Sequence, residues 1–154
     1  MPGETFLLDA NILLLLVTGR ASPSYIAIHK RLRAYSTKDH VLLLKLLSTA
    51  SRIVVTPNIV TETSNLARYT GEPVRGHIPR VLRALLHETG EIYIESRVAA
   101  GHPAFPRLGL TDAALLHAEF AGHVLLTADL DLYLEAGRQG RKTVNFTHYI
   151  EANG

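Results

Sequence analysis

The sequence predicts an α/β domain in which a parallel sheet is covered by helices on both faces. Short apolar segments with the composition of strands alternate along the chain with longer segments of helical periodicity. Strand passes almost directly into helix after Leu8, Val55 and Thr127. Because such units align their strands in parallel through right-handed crossovers, we expect about five parallel strands and roughly six or seven helices in one α/β/α domain over residues 1–150.

The composition is typical of a globular protein. Of the 154 residues, 47% are hydrophobic and 19% are charged, and the absence of cysteine excludes disulfides and thiolate metal sites. The net charge of +2 permits a nucleic-acid partner without requiring one, and the lack of tryptophan gives no sign of a base-stacking platform. No apolar run is long enough to span a bilayer, so we expect a cytoplasmic protein with no membrane association.

Two strand-to-helix units are predicted in the first half of the chain. Phe6–Leu8 reads as a buried strand, and the apolar run from Ile12 reads as a buried helix that ends at Gly19–Pro23. Ile53–Val55 is a β-branched strand that Thr56 and Pro57 convert into the next helix. Between these units we predict a helix from Ser24 to about Ala34 and another that follows the capping-box residues Ser36 and Asp39 and ends at Leu47.

The second half repeats this alternation. The helix from Pro57 is expected to reach about Tyr69, and Glu91–Ile94 alternates like a half-buried edge strand. Thr111 or Asp112 is predicted to cap a helix that Gly122 ends. The other predicted elements are helices at Val74–Thr89, Ser96–Ala100 and Leu130–Arg138, a loop at Gly101–Gly109, strands at Val124–Thr127 and Thr143–Phe146, and a polar tail at 151–154.

Two aspartates follow predicted buried strands directly. Asp9 interrupts the run FLLDANILLLL, and Asp129 comes just after Val124–Thr127. Ligands bind at the carboxyl ends of the strands in open α/β sheets, so both acids are candidates for one site. The alternative for Asp9 is that it simply caps the helix that follows it, which is an ordinary role for aspartate.

Two further acids are predicted on helices that border the same edge. Glu62 shares the spacing i, i+3, i+7 with Ile59 and Leu66, so we expect it on an inward face. The alternatives for Glu62 are a salt bridge to a nearby arginine or a helix face that bends toward solvent at this end. Asp112 opens the helix before the fourth strand.

Four converging carboxylates would raise one another's pKa and would destabilise the fold unless a cation neutralised them. With only oxygen donors available, the expected cation is Mg²⁺ or Mn²⁺. Two such ions about 4 Å apart would activate a water and stabilise the leaving oxygen of a phosphodiester.

The order of these motifs resembles that of the PIN-domain family of metal-dependent ribonucleases, which includes VapC-like toxins. The matching segments are LLDAN at Asp9, TPNIVTE at Glu62, LTD at Asp112 and LLTAD at Asp129, and the similarity extends to VNFTHYI at 144–150. The resemblance implies a PIN-like three-layer fold whose metal site is formed by these four acids. The region from Ser24 to Ala50 is longer and more apolar than in the small toxins of the family.

The resemblance also suggests auxiliary positions. Asn11 matches a polar residue after the family's first acid, and Thr127 matches a hydroxyl before its last one. Asp131 is either an outer acid of the site or an exposed residue at a helix start. Glu119 lies about 10 Å along its helix from Asp112, too far to share an ion. No pair of histidines has the spacing of a zinc site.

The resemblance implies an endoribonuclease that cuts single-stranded RNA to leave a 5′-phosphate. Such an enzyme could be the toxin of a toxin–antitoxin pair, with an antitoxin protein as its partner, and could form a homodimer. The alternative function is a non-catalytic RNA- or protein-binding module, although like charges facing phosphates would not help binding. A HAD-like phosphohydrolase would require Asp-x-Asp where this chain has Asp9-Ala10-Asn11.

Overall fold

The computed structural model describes residues 3–118 and 123–154, which form a five-stranded parallel sheet with helices packed around it. The spatial order of the strands is β3-β2-β1-β4-β5, and every neighbouring pair is parallel. The predicted three-layer α/β/α class with about five parallel strands is therefore confirmed. The strands are β1 Glu4–Leu8, β2 Ala50–Val55, β3 Gly90–Glu91, β4 His123–Thr127 and β5 Thr143–Asn145.

The described residues contain ten helices, more than the six or seven predicted, because several are only one or two turns long. The longer helices are α1 Ala10–Ala21, α3 Thr37–Leu47, α4 Pro57–Leu66, α5 Val74–Leu86, α8 Leu110–His117, α9 Leu130–Arg138 and α10 Phe146–Asn153. The short ones are α2 Tyr25–Ile28, α6 Ser96–Ala100 and α7 Phe105–Leu108. Among the described helices, none is both long enough and apolar enough to cross a membrane.

The core is organised around β1 and α1, which lie at the centre of the molecule. β1 is the middle strand, and α1 packs against α3, α4, α5 and β4. The uniformly apolar run Ile12–Val17 has no solvent-facing side because all of its side chains are buried. A helix that is apolar on every face is stable in water only when it is buried in this way.

The segment after α1 differs from the prediction. The helix expected from Ser24 to Ala34 ends at Ile28, and His29 adopts an extended backbone. The His29 ring accepts a hydrogen bond from Arg31 N–H at 3.1 Å and donates one to the Ala67 carbonyl at 3.3 Å. These contacts turn the chain away from the helix axis, so the predicted second half of this helix does not form.

The ends of the other elements show three further corrections. β3 pairs Gly90 and Glu91 with β2, so only Glu91 of the predicted edge strand Glu91–Ile94 belongs to a strand, and the predicted loop at 101–109 contains α7. The N-cap of α8 is Gly109 at a positive φ of 90°, and neither Thr111 nor Asp112 caps this helix. The predicted end of that helix at Gly122 lies outside the described residues.

The chain end is helical. Asn145 ends β5, and its side chain accepts a hydrogen bond from His148 N–H at 3.2 Å, which caps α10. Phe146 is therefore a buried helical residue instead of the last strand residue. Residues 151–153 continue α10, so the predicted polar tail at 151–154 is exposed and is helical up to its terminal glycine.

Candidate active site

The carboxyl edge of the sheet carries the two strand-end aspartates side by side. β1 and β4 are hydrogen-bonded neighbours, and Leu8 pairs with Leu126 at their carboxyl ends. The chain order reverses between these two strands, because β2 and β3 lie on one side of β1 while β4 and β5 lie on the other. Such a switch point opens a crevice where α/β proteins bind ligands. Asp9 and Asp129 flank it.

Asp9 is buried, and each of its carboxylate oxygens accepts one hydrogen bond. Only 6% of its surface is exposed. Its Oδ1 accepts from Ala10 N–H at 2.7 Å, and its Oδ2 accepts from the Thr127 hydroxyl at 2.6 Å. Burial raises the pKa of Asp9, the bonds from Thr127 and Ala10 lower it, and repulsion from Asp129 raises it further. Asp9 also caps α1, as the helix-capping alternative predicted.

Thr127 links the two strand-end acids. Its hydroxyl donates to Asp9 and accepts a hydrogen bond from Asp129 N–H at 3.0 Å. The side chain is completely buried, so it does not reach the surface of the site. Asp129 is exposed, and its Oδ1 accepts from Leu132 N–H at 3.0 Å, which caps α9. Thr127 therefore fixes the relative position of the two aspartates from behind.

Glu62 does not lie in the core stripe of α4. The buried residues of α4 are Ile59 and Thr63, whereas Glu62 is exposed. At 100° per residue, Glu62 lies about 60° from Ile59 and falls on the border of the buried face. Within the described residues no cation forms an ion pair with Glu62, which is at odds with the salt-bridge alternative. Partial burial followed by repulsion from Asp9 raises the pKa of Glu62, and a hydrogen bond from Thr111 opposes this increase.

The Asp112 carboxyl group has a strongly raised pKa. It lies in the first turn of α8, where the helix dipole favours a negative charge. Burial nevertheless raises the pKa of Asp112 from 3.8 to about 7, assisted by the charges of Asp9, Asp129 and Glu62 in that order. Burial and the neighbouring charges together therefore outweigh the stabilisation that the helix terminus provides.

All four acids line one open cleft of about 630 Å³. Among the described residues that line the cleft, none is a lysine, arginine or histidine, so the carboxylates have no cationic neighbour there. The complete lining is Asp9, Asn11, Pro57, Asn58, Thr61, Glu62, Asn65, Leu108, Gly109, Leu110, Thr111, Asp112 and Asp129.

The donor set suits a hard divalent cation, although the side chains do not form a compact ligand shell. Carboxylate and amide oxygens are the ligands that Mg²⁺ and Mn²⁺ prefer, and the cleft offers both. In the described part of the chain, no three Asp, Glu or His side chains lie close enough together to hold one ion as they are oriented here. The chemistry of the residues fits such an ion, and binding it would require the carboxylates to draw together.

The auxiliary candidates divide into two groups. Asn11 lines the cleft, and Thr127 supports it from below. Asp131 is exposed in the first turn of α9 and does not line the cleft. Glu119 lies outside the described residues.

The sequence interpretation did not single out a polar stripe on α4. Asn58, Thr61 and Asn65 line the cleft together with Glu62. Their spacing of i, i+3, i+4 and i+7 places them on one helix face, and this periodicity was visible in the sequence. Neutral amides and hydroxyls of this kind can donate hydrogen bonds to phosphate and sugar oxygens.

Comparisons with known proteins leave the family open. No protein-family model and no curated protein matches the chain. A domain of a functionally unknown protein from Methanocaldococcus jannaschii DSM 2661 is similar in structure, with a TM-score of 0.48 and 18% sequence identity over 92% of this chain and 89% of that one. A similarity at this level identifies neither a family nor an activity.

Proposed function

We propose that this protein is an endoribonuclease that uses Mg²⁺ or Mn²⁺ to hydrolyse single-stranded RNA in the cleft of Asp9, Glu62, Asp112 and Asp129. The observation that carries the proposal is the uncompensated charge of this cleft, where four acids meet without a basic residue among the described lining. Helix capping gives a folding reason for Asp9 and Asp129 but none for Glu62 and Asp112, whose pKa values are raised by burial and then by the neighbouring acids. The motif resemblance to PIN-domain ribonucleases supplies the reaction class.

In this proposal the four acids hold the cation and the cleft positions the RNA backbone. The ion supplies Lewis-acid stabilisation of the phosphate and a nucleophilic water. Thr127 orients the Asp9 carboxylate through its 2.6 Å hydrogen bond. The amide side chains of Asn11, Asn58 and Asn65 are available to contact phosphate or ribose oxygens along the cleft.

The test is a cleavage assay on an unstructured oligoribonucleotide in Mn²⁺ or EDTA. Asp129→Asn should reduce cleavage to background because it removes a metal ligand, while RNA affinity measured in Ca²⁺ should persist or rise with the loss of negative charge. Asp131→Asn is the matched control, since Asp131 is a nearby exposed acid outside the cleft. Its activity should match that of the wild type.

Two results would count against the proposal. Cleavage that survives both EDTA and Asp129→Asn would come from a contaminating nuclease or a metal-free reaction. Tight RNA binding without metal-dependent cleavage of any substrate would favour the non-catalytic binding module. The observation that favours the binding module is that the described acids do not form a compact ligand shell for a metal ion.

A further inference from the structure

The cleft continues along α4 into a second groove that contains an exposed aromatic ring. Asn65 lines both the acidic cleft and a groove of about 380 Å³ whose other lining residues are Arg68 and Tyr69. Arg68 and Tyr69 follow Asn65 by three and four residues, and backbone hydrogen bonds to the carbonyls of Asn65 and Leu66 continue the helical turn through them. The cleft-facing stripe of α4 therefore extends to Tyr69, about 10 Å along the axis from Glu62.

Tyr69 and Arg31 form an exposed stacked pair at the far end of this groove. Tyr69 keeps 49% of its surface exposed, and the guanidinium carbon of Arg31 lies 4.4 Å from the centre of its ring. Neither Arg31 nor Arg68 forms an ion pair with an acid in the described residues. This end of the groove consequently presents an aromatic face and two unneutralised cations, in contrast to the acidic end.

A buried histidine holds the pair in place. His29 is fully buried, and its ring bonds to the backbone of Arg31 on one side and to the carbonyl of Ala67 on the other. These two hydrogen bonds connect the segment that contains Arg31 to the segment that contains Tyr69. The stacked pair thus rests on a fixed support, unlike two long surface side chains that meet by chance.

We propose that Tyr69, Arg31 and Arg68 form a subsite for one unpaired nucleotide of the RNA strand whose backbone enters the acidic cleft. The base stacks on the Tyr69–Arg31 pair, and a neighbouring phosphate binds the Arg68 guanidinium. Bases stack on aromatic and guanidinium planes without requiring a particular sequence, and phosphates attract arginine. The subsite rests on the proposed ribonuclease function, because it positions the same strand that the cleft would cut.

The three arginines of α5 offer a contrast. Arg75, Arg80 and Arg83 are exposed, but none of them lines the cleft or the adjoining groove. A group of exposed arginines on one helix is an obvious candidate for RNA binding. The structure favours Arg31 and Arg68 in their place.

The experiment measures anisotropy of a labelled, unstructured oligoribonucleotide in Ca²⁺ for wild type, Tyr69→Ala, Tyr69→Phe and Tyr93→Ala. Tyr69→Ala should raise Kd about tenfold because it removes one base–aromatic stack, while Tyr69→Phe keeps the ring and should bind like the wild type. Tyr93 is 76% exposed and lies outside the groove, so Tyr93→Ala is the matched control. Arg68→Ala should lower the slope of log affinity against log salt by about one, whereas Arg83→Ala should not.

A base-omission series makes the assignment specific. Oligonucleotides with one abasic residue at successive positions should show one position where the wild type loses affinity, and this penalty should vanish in Tyr69→Ala. Affinities for the abasic oligonucleotides are also measured with the wild type and with Arg68→Ala. The position of the affinity loss in these two proteins tests the assignment even if Tyr69→Ala folds poorly.

Failure of the subsite can be distinguished from failure of the proposed function. Wild-type protein that binds and cleaves RNA, with equal affinity in Tyr69→Ala, would overturn the subsite alone. Equal losses in Tyr69→Ala and Tyr93→Ala would also overturn it. Binding that depends on Tyr69 without any cleavage would overturn the ribonuclease function and leave the subsite standing. A wild type that neither binds nor cleaves single-stranded RNA would overturn both.

Discussion

Replacement of Asp112 by asparagine should stabilise the metal-free protein, because it removes a charge that folding forces into an acidic cleft. The pKa of Asp112 rises from 3.8 to about 7 on folding, first through burial and then through repulsion from the other acids. A carboxyl group with a raised pKa in the folded state holds its proton more tightly there, so its ionisation opposes folding. This cost is absent below the unfolded pKa of 3.8, grows as pH rises toward 7, and is complete above pH 7.

The magnitude follows from the pKa difference. The rise in the pKa of Asp112 from 3.8 to about 7 corresponds to about 4 kcal/mol of free energy. Asp112 is only partly buried and faces an open cleft, so solvent screening reduces this upper bound. We expect Asp112→Asn to gain about 1–2 kcal/mol at pH 8, or roughly 2–8 °C in Tm for a chain of this size. The gain should approach zero near pH 4.

The assay is thermal unfolding in EDTA at pH 4 and pH 8, followed by circular dichroism. Asp131→Asn serves as the control, because it removes a nearby charge that does not face the cleft. Mn²⁺ should then raise the Tm of the wild type by binding only the folded state, and Asp112→Asn or Asp9→Asn should lessen that response. The electrostatic reasoning is refuted if Asp112→Asn is less stable than the wild type at pH 8, or if its gain does not depend on pH.

Two further substitutions test the support of the site and the packing beneath it. Thr127→Val removes the hydroxyl that joins Asp9 to Asp129 and should weaken Mn²⁺ affinity about 10–100-fold, as measured by Mn²⁺ titration of Tm. Thr127→Ser keeps the hydroxyl and should retain the wild-type affinity. Equal Mn²⁺ affinities of Thr127→Val and the wild type would contradict this role. Gly19→Ala would place its Cβ 2.2 Å from Cδ2 of the buried His40 ring. Gly19→Ala should lower the free energy of unfolding, measured in urea, by about 1–3 kcal/mol, despite a helix-propensity gain of up to about 1 kcal/mol. A net stabilisation would show that the packing around His40 is looser than described.

Local hydrogen-bonding patterns explain why much of the fold could be predicted. The Ser36–Asp39 capping box forms both of its reciprocal bonds, at 3.3 and 2.9 Å. Thr56 caps α4 through Ile59 N–H, with Pro57 at the first helical position. Each of these bonds joins residues three apart, so a short stretch of sequence contains all the information that they require.

The errors came from contacts between distant parts of the chain. The helix predicted after Ser24 stops at Ile28, where His29 bonds to Ala67, 38 residues away. The periodicity of residues 24–34 contains no information about that partner. The position of Glu62 was misjudged for a related reason: Ile59, Glu62 and Leu66 do share a face, but the packing of α4 against α1 and α8 decides which edge of the face remains open.

The candidate site could be predicted at the level of topology and not at the level of ligand distances. Parallel strands bring their carboxyl ends to one edge, so the convergence of Asp9 and Asp129 follows from chain order alone. The rotamers that set the spacing between carboxylates depend on neighbours from several helices and strands. No sequence pattern specifies them.

The capping role and the functional role of these acids do not compete. Asp9 and Asp129 each cap a helix, which would be a sufficient reason for their presence. A carboxylate has about four acceptor positions, so a cap leaves room for another ligand. Glu62 and Asp112 are different, because neither caps a helix and neither pairs with a cation in the described residues. Burial, and after it the repulsion from the other carboxylates, raises the pKa of both groups, so their ionisation opposes folding. The functional proposal therefore depends most on these two acids, since folding supplies a use for the other two.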